Sequence, residues 1–179
     1  MLRKFRVLLL GFILLLAACT DRLWLIKPFD VSKSNQVVMA NFLIKEKGTY
    51  QLSLSFVWKE SRREREEQTK IIGNGGVPTL VYESDPEVLK SIKGVPIPLH
   101  VRLVKDGELL VDELFETSGK NYGQSFDYGG QSKSAAGRVI KNITLEPGNY
   151  FVEVRTVKDV AAFSDTETYF DLTYYNPKI

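Results

Sequence analysis

The sequence predicts an all-β chain built as an antiparallel sandwich, and three observations carry that expectation. Apolar and polar residues alternate with period two from residue 36 onward. Turn-forming pairs such as Asp106-Gly107 and Pro147-Gly148 punctuate the alternating runs. A single stretch, residues 59–70, departs from the alternation, and its charges are spaced for a short helix.

The N-terminus has a different character. Met1 to Arg6 carries Arg3, Lys4 and Arg6, and Val7 to Ala18 is free of charge and ends in two small residues before Cys19. This is the layout of an export signal. A crossing helix needs about 20 apolar residues, and the tract is shorter than that when it meets Asp21 and Arg22. Leu16-Ala17-Ala18-Cys19 resembles the bacterial lipobox, in which the cysteine is diacylated and the chain is cut just before it. The resemblance implies removal of residues 1–18 and lipidation at Cys19, with the two or three acyl chains that stable membrane anchoring requires. The alternatives are an ordinary secretory signal with an incidental cysteine and a short buried helix. Thr20 stands where some bacteria place an aspartate to retain a lipoprotein in the inner membrane, which implies the outer membrane as the address. Residues 19–35 then read as a lipidated tether and linker, and 36–179 as the sandwich domain.

Cleavage leaves 161 of the 179 residues, with 21 basic against 22 acidic side chains. That length suits one domain with its own core, and the near-neutral balance argues against a nucleic-acid partner. With Cys19 lipidated no thiol remains for a disulfide, a zinc site or a nucleophile.

Strands follow in order. Val37 to Ile44 reads as the first, with a turn at Lys45-Glu46-Lys47-Gly48. In Gly48 to Lys59, Tyr50, Leu52, Leu54, Phe56 and Trp58 share one face, and Gln51, Ser53, Ser55 and Lys59 fall on the face expected to meet solvent. In the charged stretch that follows, Arg62 with Glu66, Arg63 with Glu67 and Glu66 with Lys70 lie four apart, predicting a solvated helical turn. Pro96 to Leu103 begins with prolines tolerated at a strand start or edge. Asp106-Gly107 turns the chain into Leu109 to Phe115. Arg138 to Leu145 and Asn149 to Val157 flank Glu146-Pro147-Gly148, and Thr168 to Tyr175 closes the set.

Leu145 to Val154 is similar to the strand entry of immunoglobulin-like sandwiches, where a tyrosine turns its hydroxyl back onto the preceding loop. The resemblance implies structural roles for Pro147, Gly148 and Tyr150, and an immunoglobulin-like architecture.

No reactive constellation is legible. His100 is the sole histidine and lies mid-strand, so a histidine pair or multi-histidine metal site cannot be assembled in one chain. Gly73 to Gly76 lacks the lysine–serine pair and following helix of a phosphate loop. Neither a cofactor nor a metal is expected. Two irregular loops remain as candidates for binding: Gly73 to Ser91, with Tyr82, and Thr117 to Gly137. The second sets Tyr122, Phe126 and Tyr128 among Gly, Ser, Lys and Gln, a composition of adaptable contact surfaces.

Phe29-Asp30-Val31-Ser32, Tyr50 to Phe56, Ile97-Pro98-Leu99, Gly119 with Tyr122, Leu145-Pro147-Gly148-Tyr150 and Tyr175-Asn176-Pro177-Lys178 together resemble a family of small bacterial envelope lipoproteins, domain of unknown function 5625. The resemblance implies a β-sandwich and no established activity. The expectation is a non-enzymatic lipoprotein, anchored to the membrane through Cys19, that presents Tyr122, Phe126 and Tyr128 to a protein or glycan partner in the envelope. The alternatives are an immunity lipoprotein that neutralises a periplasmic toxin, and a carboxylate-based glycan hydrolase.

Overall fold

The computed structural model describes residues 23–74 and 92–175. Cys19 and the signal segment, residues 75–91 of the first candidate loop with Tyr82, and the closing Asn176-Pro177-Lys178 lie outside the described residues.

The chain is mostly β: two antiparallel sheets, one of them a half-barrel, with one short helix. The strands are β1 (Trp24–Pro28), β2 (Val37–Ile44), β3 (Gly48–Val57), β4 (Ile97–Lys105), β5 (Glu108–Thr117), β6 (Tyr122–Tyr128), β7 (Gln131–Leu145), β8 (Gly148–Thr156) and β9 (Thr168–Tyr174). The first sheet runs β1-β9-β3-β7-β6 and the second β2-β8-β4-β5. The chain passes from one sheet to the other at every connection except the β4–β5 and β6–β7 hairpins. The inner faces share one apolar core, with Leu54, Phe56, Phe170 and Leu172 from the first sheet against Leu99, Val101, Val152 and Val154 from the second.

The helix α1 (Arg62–Ile72) forms for local reasons. Ser61 caps it, accepting from the Glu64 amide at 3.3 Å. Arg62 reaches Glu66 at 3.0 Å as the spacing predicts, whereas Lys70 pairs with Glu67, one turn position nearer, at 2.7 Å. Gln68 is buried and stitches α1 to the end of β3, donating to the Val57 carbonyl at 2.7 Å and accepting from the Lys59 amide at 3.0 Å.

Three expectations change. Thr117 to Gly137 is not an irregular loop but the hairpin β6–β7, closed by Gly129-Gly130. Both glycines take positive φ, 60° and 77°, the geometry of a two-residue hairpin turn that matches strand twist. The outer face of β3 is buried rather than solvated, with Ser53 and Ser55 fully covered and Gln51 nearly so. Residues 24–35, expected as linker, enter the fold: β1 pairs with β9, and Phe29 and Val31 are buried in the core. Asp30 holds that entry in a turn by accepting from the Ser32 amide at 2.8 Å and hydroxyl at 2.6 Å.

At one end of the core a buried cation takes the place of apolar packing. Arg138 of β7, opposite Leu54, is fully buried between the rings of Phe56 and Phe163, 5.2 and 5.6 Å from their centres. Its guanidinium donates to the carbonyls of Val95 (2.8 Å), Thr117 (3.3 Å), Ile71 (3.2 Å) and Ile72 (2.5 Å). The last two belong to the C-terminus of α1, where unpaired carbonyls and the helix dipole both favour a cation. Burial pulls the Arg138 pKa down to about 10. Replacing Arg138 with leucine removes these bonds, while the Ile71 carbonyl keeps a second donor, the Val95 amide at 2.7 Å. Urea denaturation is expected to show a loss of about 3 kcal/mol or more, and a variant within 1 kcal/mol of wild type would contradict this role.

Candidate functional site

The residues singled out for contact lie on the concave outer face of the first sheet. Tyr122, Gln124, Phe126 and Tyr128 alternate along β6 on that face, and the sheet curls until they reach across β7 to β3 and β9. The floor beneath them is made of small residues, Ala135 and Gly137 on β7 and Ser53 and Ser55 on β3. The Tyr122 ring lies flat on Gly137, where a Cβ would sit 2.3 Å from it.

Two parallel relays cross this floor. The Tyr122 hydroxyl donates to Ser53 Oγ at 2.7 Å, and Ser53 donates to Asp171 Oδ1 at 2.5 Å. Gln124 Nε2 donates to Ser55 Oγ, and Ser55 donates to Asp171 Oδ2 at 2.6 Å. Asp171 is fully buried. Desolvation raises its pKa, against the opposing pull of the hydrogen bonds from Ser53, Ser55, Tyr122 and Gln124. Burial, with the nearby Asp171 carboxylate, also pushes the Tyr122 phenol well above its ordinary range.

Phe126 is buried edge-on against Tyr169, with ring centres 5.2 Å apart, and Tyr128 packs on the same ring at 5.0 Å. The Tyr169 hydroxyl donates to Glu167 at 2.5 Å, and Lys133 bridges Glu167 at 2.9 Å. Of the three expected contact aromatics, Phe126 is buried, Tyr122 is half-buried with its hydroxyl committed to Ser53, and Tyr128 is exposed. Sequence reasoning missed Ser53, Ser55, Gln124 and Asp171. The signal was present in β3, whose polar face carries small hydroxyls where a solvated face would carry Lys or Glu.

The structural residues sit at the opposite, open sheet. The Tyr150 hydroxyl donates to the Glu146 carbonyl at 2.8 Å, across the turn made by Pro147 and Gly148. Tyr50 repeats the device, reaching back four residues to the Glu46 carbonyl at 3.3 Å. Gly148 has φ of 154°, and a Cβ there would meet Asp106 Oδ2 at 2.7 Å.

Among the described residues no element packs on the outer face of the second sheet, which carries three ordered rows. Pairing registers give Val37–Arg155–His100–Leu114, then Met39–Glu153–Arg102–Asp112, then Asn41–Phe151–Val104–Leu109. Charges occupy the middle strands, with Arg155 on Glu153 at 3.0 Å and His100 on Asp112 of β5 at 2.7 Å. Beside Asn41 and Asp112 the edge strands carry aliphatic side chains: Met39 and Leu43 on β2 and Leu109 and Leu114 on β5 stand out into solvent, Leu114 with 70% of its surface exposed. Between the β4–β5 turn and the ends of β2 and β8 lies a depression of about 430 Å³.

This is a two-sheet β domain whose first sheet curls into a half-barrel. The crystal structure of GEBA250068378 from Sulfurospirillum deleyianum has a similar fold, at a TM-score of 0.61 and 19% identity over 88% of this chain and 100% of that one. The chain belongs to the family defined by domain of unknown function DUF5625, whose model matches residues 26–174. Among curated proteins there is no match.

Two outcomes are expected from the closed face. Gly137→Ala drives a methyl into the Tyr122 ring and lowers stability by about 1–3 kcal/mol. Adding Tyr122→Ala to that variant costs less than the two single losses summed, as a denaturation cycle would register; strict additivity would remove the contact from the account. The second concerns pH. With its folded-state pKa above the unfolded value of about 3.9, Asp171 keeps its proton longer in the folded chain. Its contribution is then fully present below that unfolded value and is lost as pH rises through the folded pKa. Asp171→Asn should flatten the fall of melting temperature with rising pH that wild type shows; parallel curves for the two proteins would refute the assignment.

Proposed function

We propose that the chain is a lipid-anchored envelope module that works by binding, without catalysis, through the outer face of the second sheet. The observation that carries the reading is the pair of aliphatic borders, Met39 and Leu43 on one edge and Leu109 and Leu114 on the other, framing the charged middle strands. Single exposed apolar residues are ordinary, but several ranked along one uncovered sheet mark an interaction surface. The Tyr122–Phe126–Tyr128 reading gives way to this face because Phe126 is buried and the Tyr122 ring lies on Gly137.

The anchor rests on the lipobox resemblance at Cys19. Trp24, which opens β1, follows Cys19 by five residues, a leash of at most about 18 Å when extended. A lipid at Cys19 therefore keeps the folded body beside the bilayer, and the outer-membrane address follows from Thr20. The Tyr150 corner and the alternation of sheets along the chain support an immunoglobulin-like description of the sandwich.

A photoreactive residue placed at position 39, 114 or 128 in cells tests the surface. Adducts are expected from 39 and 114 and not from 128; adducts from 128 alone would return the site to the hairpin tip. Cys19→Ser is expected to release the protein from the membrane fraction, and retention there would exclude the anchor.

A further inference from the structure

We infer that the depression at the end of the open face is a binding site for a neutral sugar. The inference rests on reading the outer face of the second sheet as the working surface, and it names the ligand chemistry for one part of it.

The floor is the half-exposed Phe151 ring, flanked in register by Val104 on β4 and Asn41 on β2. Three polar groups stand around that ring. Asp106 is fixed by its own turn, with positive φ of 47°, and its backbone amide donates to the Asn149 carbonyl at 2.9 Å. Its Oδ1 accepts from the Asn149 amide at 3.1 Å and from Asn149 Nδ2 at 3.2 Å. These bonds orient the carboxylate and leave Oδ2 and Asn149 Oδ1 uncommitted among the described residues. The Asn41 carboxamide likewise makes no hydrogen bond among them.

The donor and acceptor inventory decides the ligand class. A carboxylate accepts only, while a carboxamide both donates and accepts, so the set matches adjacent hydroxyls that each donate and accept. A flat apolar ring beneath polar edges suits a pyranose, whose C–H face is apolar and whose rim is hydroxylated. A phosphate, a uronate or an acidic lipid headgroup is disfavoured because the lining carries the Asp106 carboxylate and no cation. A metal cation is disfavoured because one carboxylate is too few ligands. The volume of about 430 Å³ lies within the range of small-ligand sites.

Saturation-transfer NMR on the protein purified from membranes in detergent tests the site. The probes are chitotetraose, maltotetraose and, as an anionic comparison, tetragalacturonate. Transfer is expected to at least one neutral probe and not to the anionic one, with about tenfold weaker binding in Asn41→Ala and in Phe151→Leu. Asn41 is exposed and Phe151→Leu keeps an apolar side chain, so both variants should retain the wild-type melting temperature. Arg62→Ala, on the exposed side of α1, should leave sugar binding unchanged. The inference is overturned by no transfer to either neutral probe at about 10 mM, by equal transfer to the anionic one, or by binding that Asn41→Ala and Phe151→Leu do not weaken. Loss of the sugar site alongside intact adducts at positions 39 and 114 removes the ligand class and leaves the contact face standing.

Discussion

The arrangement depends on a carboxylate that the first sheet buries on its outer side. Asp171 sits on β9 directly opposite Ser53 of β3, and the two serines of β3 carry hydrogen bonds to it from Tyr122 and Gln124 on β6. A lone carboxylate in apolar surroundings costs several kcal/mol unless donors surround it. Ser53 and Ser55 donate from the neighbouring strand β3, and the groups that donate to them in turn come from β6, two strands beyond β3, so completing the relays requires the sheet to curl. The half-barrel and the buried acid are thus two views of one constraint.

That constraint distributes the surfaces. Once β6 folds over, the first sheet is covered on both faces, its inner one by the second sheet and its outer one by Phe126, Tyr169 and the relays. The second sheet has no such cover among the described residues, and its edge strands keep exposed aliphatic side chains beside their polar ones. The ends are tied separately: Arg138 gathers α1 and the residues before β4, and the Tyr50 and Tyr150 hydroxyls pin the turns entering their strands. Both ends of the two-sheet body are thereby tied by side-chain hydrogen bonds to backbone carbonyls.

Much of the strand pattern was legible because period two survives wherever one face is apolar. β2 and β8 alternate cleanly, and their bounds match the sequence reading to within one residue. β1 was missed because five residues with a lysine and a terminal proline carry too little alternation. β6 was missed for a different reason: its alternate residues Gly123, Ser125 and Asp127 resemble loop composition, and the glycine pair after it resembles loop continuation. The same Gly129-Gly130 pair, placed between two alternating runs, is a hairpin signal once Tyr122, Gln124, Phe126 and Tyr128 are read as one face. The candidate contact residues were picked by composition, which records side-chain types but not which face of a curled sheet receives them.

By itself the sequence determined the class of the protein. Alternation along most of its strands, the turns at Asp106-Gly107 and Pro147-Gly148, and the lack of any thiol or histidine cluster beyond the N-terminal segment made a β body without a nucleophile or zinc centre the expectation. What it left open was the fate of the polar faces, because a serine on a solvated strand and a serine under a folded hairpin look alike in one dimension. Only the tertiary structure decided that Ser53, Ser55 and Asp171 go inside while Met39, Leu114 and Phe151 stay out. The physical reason is that sheet curvature is set by pairing partners far apart in the chain, and local alternation cannot encode which of two faces the curl will close.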